Sequence, residues 1–229
     1  MEQPIPSRPR LLVSALLRAL LGILFLVALV FIPAGTLRYW QAWLYFIVLF
    51  VPLLGLAMVL LIKDPQLLAR RMDMRERRGS QKLAIALSGL VLLAVFLVPA
   101  LDYRVGWSHV PPSLVIFADV IILLGYILWL LTVRVNRFAA RVVEVQQNQV
   151  LVNTGPYAFV RHPMYLSIIM IFCATPIALG SYWGLIPAFL LPLALVIRIA
   201  DEERLLRQEL TGYQAYCGKV RFRLLPYIW

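Results

Sequence analysis

The chain contains a polar, turn-rich and aromatic segment that continues without a break into a long apolar run: Asn153-Thr154-Gly155-Pro156-Tyr157-Ala158-Phe159-Val160-Arg161-His162-Pro163-Met164-Tyr165. Gly155-Pro156 is a turn dipeptide. Pro163 has no amide hydrogen and a preset φ, so it suits the first position of a helix. Arg161 and His162 are then predicted to lie at the mouth of that helix, level with lipid headgroups. A second polar cluster, Asp201-Glu202-Glu203-Arg204, ends the apolar region that follows.

The composition predicts a helical membrane protein. The 229 residues are 62% hydrophobic and 14% charged, with a mean hydropathy of +0.84. Several apolar runs reach the roughly 20 residues that cross a bilayer as a helix. We predict an all-α, polytopic fold with about six spans (five to six) and a C-terminal helical hairpin. The runs cover residues 11–32, 83–101, 114–133, 164–179 and 185–199, and one more ends near residue 62.

The organisation predicted is a disordered N-terminus, residues 1–10, followed by a single membrane domain, residues 11–229. With six spans, both termini and both long loops lie on one side of the membrane. Of the 22 Lys and Arg residues, only Arg38 and Arg104 then face the other side, and Arg18 lies within a span. The positive-inside rule therefore predicts that both termini are cytoplasmic, in the cell (inner) membrane if the chain is bacterial.

The same distribution explains the net charge of +11 without a nucleic-acid partner. The basic residues cluster in the loops between spans, where they attract anionic headgroups, so membrane lipids are the expected partners. Two distant cysteines, Cys173 and Cys217, form neither a disulfide framework nor a metal motif, and we expect free thiols and no metal. Asp119 lies inside the fourth span, about two turns from its end, and is predicted to reach water or a helix partner.

The last two apolar runs are joined by a short connection, residues 180–184, which predicts an antiparallel helical hairpin. Packed helices lie roughly 8–10 Å apart, so the polar clusters at the open end of the hairpin should line a pocket. Its predicted lining is Tyr157, Arg161, His162, Tyr165, Glu202 and Glu203. Singly, each has a structural explanation: a positive-inside arginine, a helix cap, interfacial tyrosines and a solvated acidic face. The ordered combination across a hairpin favours a site that takes a soluble cofactor from the cytosol and a substrate from the bilayer.

The segment Asn153-x-Gly155-Pro156-Tyr157-x-x-x-Arg161-His162-Pro163-x-Tyr165 resembles the signature of the membrane methyltransferases that include isoprenylcysteine carboxyl methyltransferase and the phospholipid methyltransferases. Downstream, Glu202-Glu203-x-x-Leu206, Gly212-Tyr213-x-x-Tyr216 and the terminal Arg223-Leu224-Leu225-Pro226-Tyr227-Ile228-Trp229 fit the same pattern. The isoprenylcysteine branch is most similar in the tail. The resemblance covers residues 114–229, which would be the methyltransferase core, and residues 11–101 would be additional N-terminal spans.

The resemblance implies a methyltransferase that uses S-adenosylmethionine at the cytoplasmic end of the hairpin. By matching position, the cofactor would contact Tyr157, His162, Pro163, Tyr165, Glu202 and Glu203, and the catalytic residues would be Arg161 and His162, with Arg161 on the acceptor side. The chain departs from the family at Ser167, where glycine or alanine is frequent. The implied acceptor is a lipophilic or prenylated molecule that enters from the bilayer.

Physical chemistry agrees with these roles. The cofactor carries a sulfonium cation and an α-amino group, which suit acids and tyrosine faces. A carboxylate acceptor needs no base and could be held by Arg161, whereas an amine must lose a proton, for which His162 is the nearby candidate. We expect O-methylation of an isoprenylcysteine-like carboxylate, with N-methylation of a phospholipid amine or S-methylation of a small thiol as alternatives. A small transporter, which should have ionisable residues deep in several spans, is the non-enzyme alternative, and a structural assembly protein is a third.

Overall fold

The computed structural model describes residues 8–65, 68, 79–136, 138 and 149–229. We number its helices α1 Arg8–Ala34, α2 Trp40–Lys63, α3 Gly79–Val105, α4 Pro112–Val135, α5 Pro163–Ala178, α6 Leu185–Ala188, α7 Leu190–Glu209 and α8 Tyr213–Lys219, with a 3₁₀ turn at Gly155–Ala158. The all-α prediction is confirmed. Helix α1 already begins at Arg8, and residues 1–7 of the predicted disordered N-terminus lie outside the described residues.

Four helices are long and apolar enough to cross a membrane: Leu11–Ala34, Trp40–Lys63, Ala86–Val105 and Pro112–Val135. Only 11% to 28% of their apolar windows is buried inside the protein, so most of these side chains face outward, as expected where lipid is the solvent. Helix α5 is apolar but shorter, with 16 residues. The first half of α7 is apolar and its second half is polar. The count of six spans therefore stays a prediction.

Helix α5 lies against α4 along most of its length, which fixes the start of α5 where the first polar cluster ends. Gly125 on α4 makes this approach possible. A methyl group there would lie 2.8 Å from Ile171 Cγ1 and 3.2 Å from the carbonyl oxygen of Ser167. Such contacts are too short for a real side chain, so a larger residue would push the two helices apart.

The closed end of the hairpin is held by the buried Asp102 carboxylate. The Ser108 amide donates to Asp102 Oδ1 over 2.7 Å, and the hydroxyls of Ser108 and Ser181 both donate to Oδ2. Ser181 belongs to the connection between α5 and α6. The buried Tyr39 hydroxyl donates to the carbonyl of Leu179 beside it. These bonds tie the connection to α3 and to the residue that precedes α2, so the closed end of the hairpin is held in place.

The second arm of the hairpin, which contains Pro187 and Pro192, is broken. Helix α6 ends at Ala188 and α7 begins at Leu190. Each arm also has a principal neighbour outside the hairpin, because α5 packs on α4 and α7 packs on α3. The arms meet through a small apolar cluster that includes Tyr165, Leu195 and Ile199.

The prediction for Asp119 is wrong. Its side chain is 4% exposed, and neither carboxylate oxygen has a hydrogen-bond partner within the described part of the chain. Asp119 shares the buried face of α4 with Val115, Ile122 and Gly125, so it points into the bundle rather than toward water.

Most of the arginine-rich loop that follows α2 lies outside the described residues. The same holds for most of residues 142–152, which are rich in valine and glutamine and whose pattern fits either an extended or an amphipathic piece.

Candidate ligand site

The site begins at the turn before α5, where Pro163 is the first helical residue and His162 the residue before it, as predicted. Gly155 opens the preceding 3₁₀ turn with φ +59°, a conformation that glycine adopts without strain. The turn places Tyr157 beside the end of α4, where Asn136 Nδ2 donates to Tyr157 Oη over 2.9 Å. The turn is thus anchored to the same helix that positions α5.

A C-terminal segment, Val220–Trp229, crosses the start of α5, and we call it the strap. The amides of Arg161 and His162 donate to the carbonyls of Phe222 and Arg223, each over 2.9 Å. Arg161 Nη1 also donates to the carbonyls of Val220 and Arg221. The strap is folded back on itself by a bond from the Arg223 amide to the Trp229 carbonyl. The backbone of the Arg161–His162 pair is therefore held by residues about 60 positions later in the chain.

Glu203 is the centre of a buried ion-pair network. Its Oε1 accepts from Arg161 Nε over 2.7 Å and lies 3.3 Å from His162 Nε2, and its Oε2 accepts from Arg223 Nε and Arg207 Nη2 over 3.1 and 3.3 Å. The bond to Arg207 joins residues i and i+4 of α7, with the acid first, which is the favoured order. Burial alone would raise the pKa of Glu203, but hydrogen bonds from His162 and Arg161 and their charges lower it to about 2. Glu203 is therefore ionised and fully engaged within the protein.

Glu202, one residue earlier, is only half-buried and bonded at one oxygen. Tyr165 Oη donates to Glu202 Oε2 over 2.6 Å, and Arg198 Nε donates to Tyr165 Oη over 2.9 Å. Among the described residues, Glu202 Oε1 has no partner. The phenol fixes the orientation of the carboxylate and leaves one oxygen available to a ligand.

A pocket opens between the 3₁₀ turn, α5, α7 and α8. Five of the predicted site residues line it: Tyr157, Arg161, His162, Tyr165 and Glu202. Pro163 and Glu203 do not, since Pro163 starts the helix behind the pocket and Glu203 lies within the ion-pair network. Ser167 also lies away from it, with its hydroxyl bonded to the Met164 carbonyl of its own helix.

The predicted lining omits the aromatic wall that α8 supplies. Tyr213 and Tyr216 line the pocket, with ring centroids 5.8 Å apart. Tyr216 Oη donates to the Tyr157 carbonyl over 2.7 Å, whereas Tyr213 Oη is buried without a partner in the described residues. Burial raises the pKa of both phenols, so they stay protonated. The signal was the Gly212-Tyr213-x-x-Tyr216 segment, in which Gly212 adopts φ +82° between α7 and α8 and turns the tyrosines back toward Tyr157.

Most of the hydrogen-bond donors of the Arg161 guanidinium group are already bonded within the protein. Its Nε and Nη1 are bonded to Glu203 and to the strap, so only Nη2 keeps donors without partners in the described structure. A two-pronged grip on a ligand through Nε or Nη1 would need those contacts to break. The pocket thus presents one free carboxylate oxygen, one free guanidinium nitrogen, an imidazole, and tyrosine and leucine walls. That set suits an organic ligand with a cationic centre and an apolar part.

Four long apolar helices and a polar, aromatic pocket at the end of a shorter one define a helical membrane protein with a ligand site near the membrane boundary. Residues 114–211 match the model of the phospholipid methyltransferase family. The resemblance drawn from the sequence is thereby confirmed, and the chain is similar to this family over the matched residues. The match contains α4, α5, α7 and both polar clusters, and it ends before α8 and the strap. No curated protein matches the chain.

Proposed function

We propose that the protein is an S-adenosylmethionine-dependent methyltransferase that acts on a membrane-borne acceptor. The family match supports methyl transfer in general. The observation that supports this cofactor is the free oxygen of Glu202 in a pocket whose other lining residues are mostly aromatic and apolar. A carboxylate without a cationic partner at that oxygen suits the ammonium group of the cofactor. Tyr157, Tyr213 and Tyr216 offer ring faces to the sulfonium or the adenine.

The cofactor would supply a methyl group activated for displacement. The residues of the chain then have to hold the acceptor in line with that group and keep water out. Leucines in the last turns of α7 and directly after it line the pocket and contribute to the exclusion of water: Leu205, Leu206 and Leu210. The strap and Glu203 keep Arg161 and His162 in one orientation, so these two side chains do not have to be ordered when the acceptor arrives.

The acceptor we favour is an isoprenylcysteine-like carboxylate. A carboxylate needs no general base, and Arg161 Nη2 could donate to it without losing any contact that Arg161 makes in the described structure. A phospholipid amine is the alternative. In a neutral His162 whose Nε2 hydrogen is assigned to Glu203, Nδ1 is an acceptor that could take the proton of an ammonium group. A small thiol would have to be activated in the same way.

Cofactor binding tests the proposal directly. Calorimetric titration of the purified full-length protein with S-adenosylmethionine should give a saturable signal. Glu202→Gln should weaken the affinity about tenfold or more, because a charge-assisted hydrogen bond contributes about 1.5–3 kcal/mol. Glu209→Gln, which removes an exposed carboxylate from the same helix, is the matched control and should bind as the wild type does. Absence of wild-type binding, or equal affinities for the two variants, would contradict the proposal.

A second assay separates the acceptors. Membranes that contain the protein are given the cofactor with a labelled methyl group, and the lipid products are treated with base. Release of the label indicates a methyl ester and hence a carboxylate acceptor, whereas a base-stable lipid product indicates an amine. Solute flux into proteoliposomes that does not depend on S-adenosylmethionine would favour the transporter alternative instead.

A further inference from the structure

A second pocket borders Glu203, and arginines dominate its lining. It encloses about 640 Å³ of open space between Ala200, Glu203, Arg204, Arg207, Gln208 and Arg223. Arg161 and His162, which line the ligand site, contact Oε1 of Glu203, whereas the second pocket's Arg207 and Arg223 bond Oε2. The two pockets therefore share the Glu203 network as a wall but have different residues around their open space.

The charges around this second pocket do not balance. Three guanidinium groups line it, and Glu203 is the one carboxylate among the described residues that does so. That carboxylate is also shared with Arg161 and His162. The nearest acid to Arg204 is Asp201, at 4.0 Å, and the Arg204 side chain is 74% exposed. An anion in the open space would relieve the repulsion between the three arginines.

The pocket lies just beyond the apolar part of α7. Its first lining residue, Ala200, directly follows the buried Ile199, where the apolar run of residues 185–199 ends. Arg204 is five residues further on, which is about 7.5 Å along a helix axis. The headgroup layer on each side of a bilayer is roughly 5–8 Å thick. Ile197 lies two turns before Arg204 on the same face of α7 and is 46% exposed. The face of α7 that contributes Arg204 to the pocket therefore continues into an apolar surface that faces lipid.

We propose that this pocket binds an anionic phosphate group. Arg207 and Arg223 each use one nitrogen for Glu203 and keep their other N–H groups, and Arg204 is free to turn inward from its weak pairing with Asp201. Guanidinium forks match phosphate oxygens with paired hydrogen bonds. The same chemistry is presented by the headgroup of an anionic phospholipid and by free phosphate. The proposal does not depend on methyl transfer, because no residue that lines the ligand site also lines this second pocket.

The test uses the purified full-length protein in a non-ionic detergent. Titrations with dioctanoyl phosphatidic acid, dioctanoyl phosphatidylcholine and inorganic phosphate separate the two sources and the contribution of the acyl chains. We expect saturable binding of phosphatidic acid and at least about tenfold weaker binding of the zwitterionic lipid. Arg204→Gln should weaken phosphatidic acid binding about fivefold, the effect of one arginine near a charged surface. Arg221→Gln removes an exposed arginine from the strap, outside the pocket, and should change nothing.

Each outcome supports or contradicts phosphate binding in the second pocket. Binding of phosphatidic acid with weak binding of inorganic phosphate identifies a lipid headgroup site. Comparable binding of both, with competition between them, identifies a site for free phosphate. No saturable binding, equal affinity for the two lipids, or equal effects of Arg204→Gln and Arg221→Gln would overturn the proposal. Because Arg204 is largely exposed, its variant should keep the wild-type melting temperature, which is measured in parallel.

Discussion

Glu202 and Glu203 are adjacent carboxylates of α7 that differ in burial and in hydrogen-bond partners. Glu203 is 3% exposed and contacts three arginines and His162, whereas Glu202 is bonded at one oxygen by a phenol. Glu203→Gln leaves the buried Arg161 without its counter-charge, which costs roughly 3–5 kcal/mol of the free energy of unfolding. Glu202→Gln keeps an oxygen for the Tyr165 hydroxyl, so we expect a loss below about 1 kcal/mol. Denaturant unfolding in detergent compares the two variants.

The pH dependence of unfolding identifies the cause of this difference. The pKa of Glu203 falls from 4.5 to about 2 in the folded protein. A carboxyl group with a lowered folded-state pKa contributes stability above its unfolded value, and that stability is lost as the pH falls from 4.5 toward 2. The contribution is at most about 3 kcal/mol. Over this interval, the stability of Glu203→Gln should fall less steeply than that of the wild type. Parallel curves would mean that the Glu203 charge does not stabilise the fold.

At the scale of single residues, the sequence predicts which residues line the pocket better than it predicts what each of them contacts. Tyr157, Arg161, His162, Tyr165 and Glu202 line the pocket because the two polar clusters bracket one apolar hairpin. The sequence does not distinguish Glu202 from Glu203. Neighbouring residues of a helix point about 100° apart, and only the packing of α7 decides which of them faces the cavity. Tyr213 was missed because its place depends on the direction of the chain after Gly212.

The strap is the element whose role is easiest to test. Deletion of Val220–Trp229 removes the acceptors of both backbone amides of the Arg161–His162 pair and of Arg161 Nη1, and it also removes Arg223. Buried donors left without acceptors cost about 1–3 kcal/mol each, so we expect a much lower melting temperature and no measurable binding of S-adenosylmethionine. Tyr227→Ala is the control, because Tyr227 is 91% exposed and should affect neither quantity. Wild-type binding by the shortened chain would show that α5 orders the site by itself.

Elements specified by local chemistry were predicted well. Pro163 at the start of α5, the break in the second arm, and Gly212 in the left-handed region all follow from the conformational limits of proline and glycine. The strap was not predicted as part of the site. Its bonds join residues about 60 positions apart. No periodicity or turn signal in residues 220–229 indicates which backbone they pair with.

At the scale of the whole molecule, hydropathy predicts the helical class but not the neighbours of each helix. The long helices expose most of their apolar residues, and lipid accepts any apolar face equally. Their arrangement is therefore set by a few small or polar contacts. Gly125 allows α5 to approach α4, and Asp102 ties the hairpin connection to α3. Such contacts are specific in three dimensions and leave little trace in composition, which is also why the burial of Asp119 was not predicted.

The arrangement of the bundle gives a prediction about membrane sidedness. Arg38 and Arg104 lie at one end, beside Gly35 and Tyr103, and both pockets lie at the other end with most of the described cationic residues. By the positive-inside rule, the pockets should face the cytoplasm. In a chain without Cys173 and Cys217, His109→Cys and Gln214→Cys introduce exposed thiols at the two ends. In intact cells, a membrane-impermeant maleimide should label only His109→Cys, and Gln214→Cys should react after permeabilisation.

The chain without cysteines is the control for background labelling in that experiment. Labelling of Gln214→Cys alone in intact cells would invert the orientation while leaving the bundle intact. Labelling of both variants from the outside would contradict the arrangement itself, because the apolar helices could not then separate the two ends. Since Tyr213 and Tyr216 flank position 214 and line the ligand pocket, the accessibility of Gln214→Cys also reports the side from which a soluble cofactor must enter.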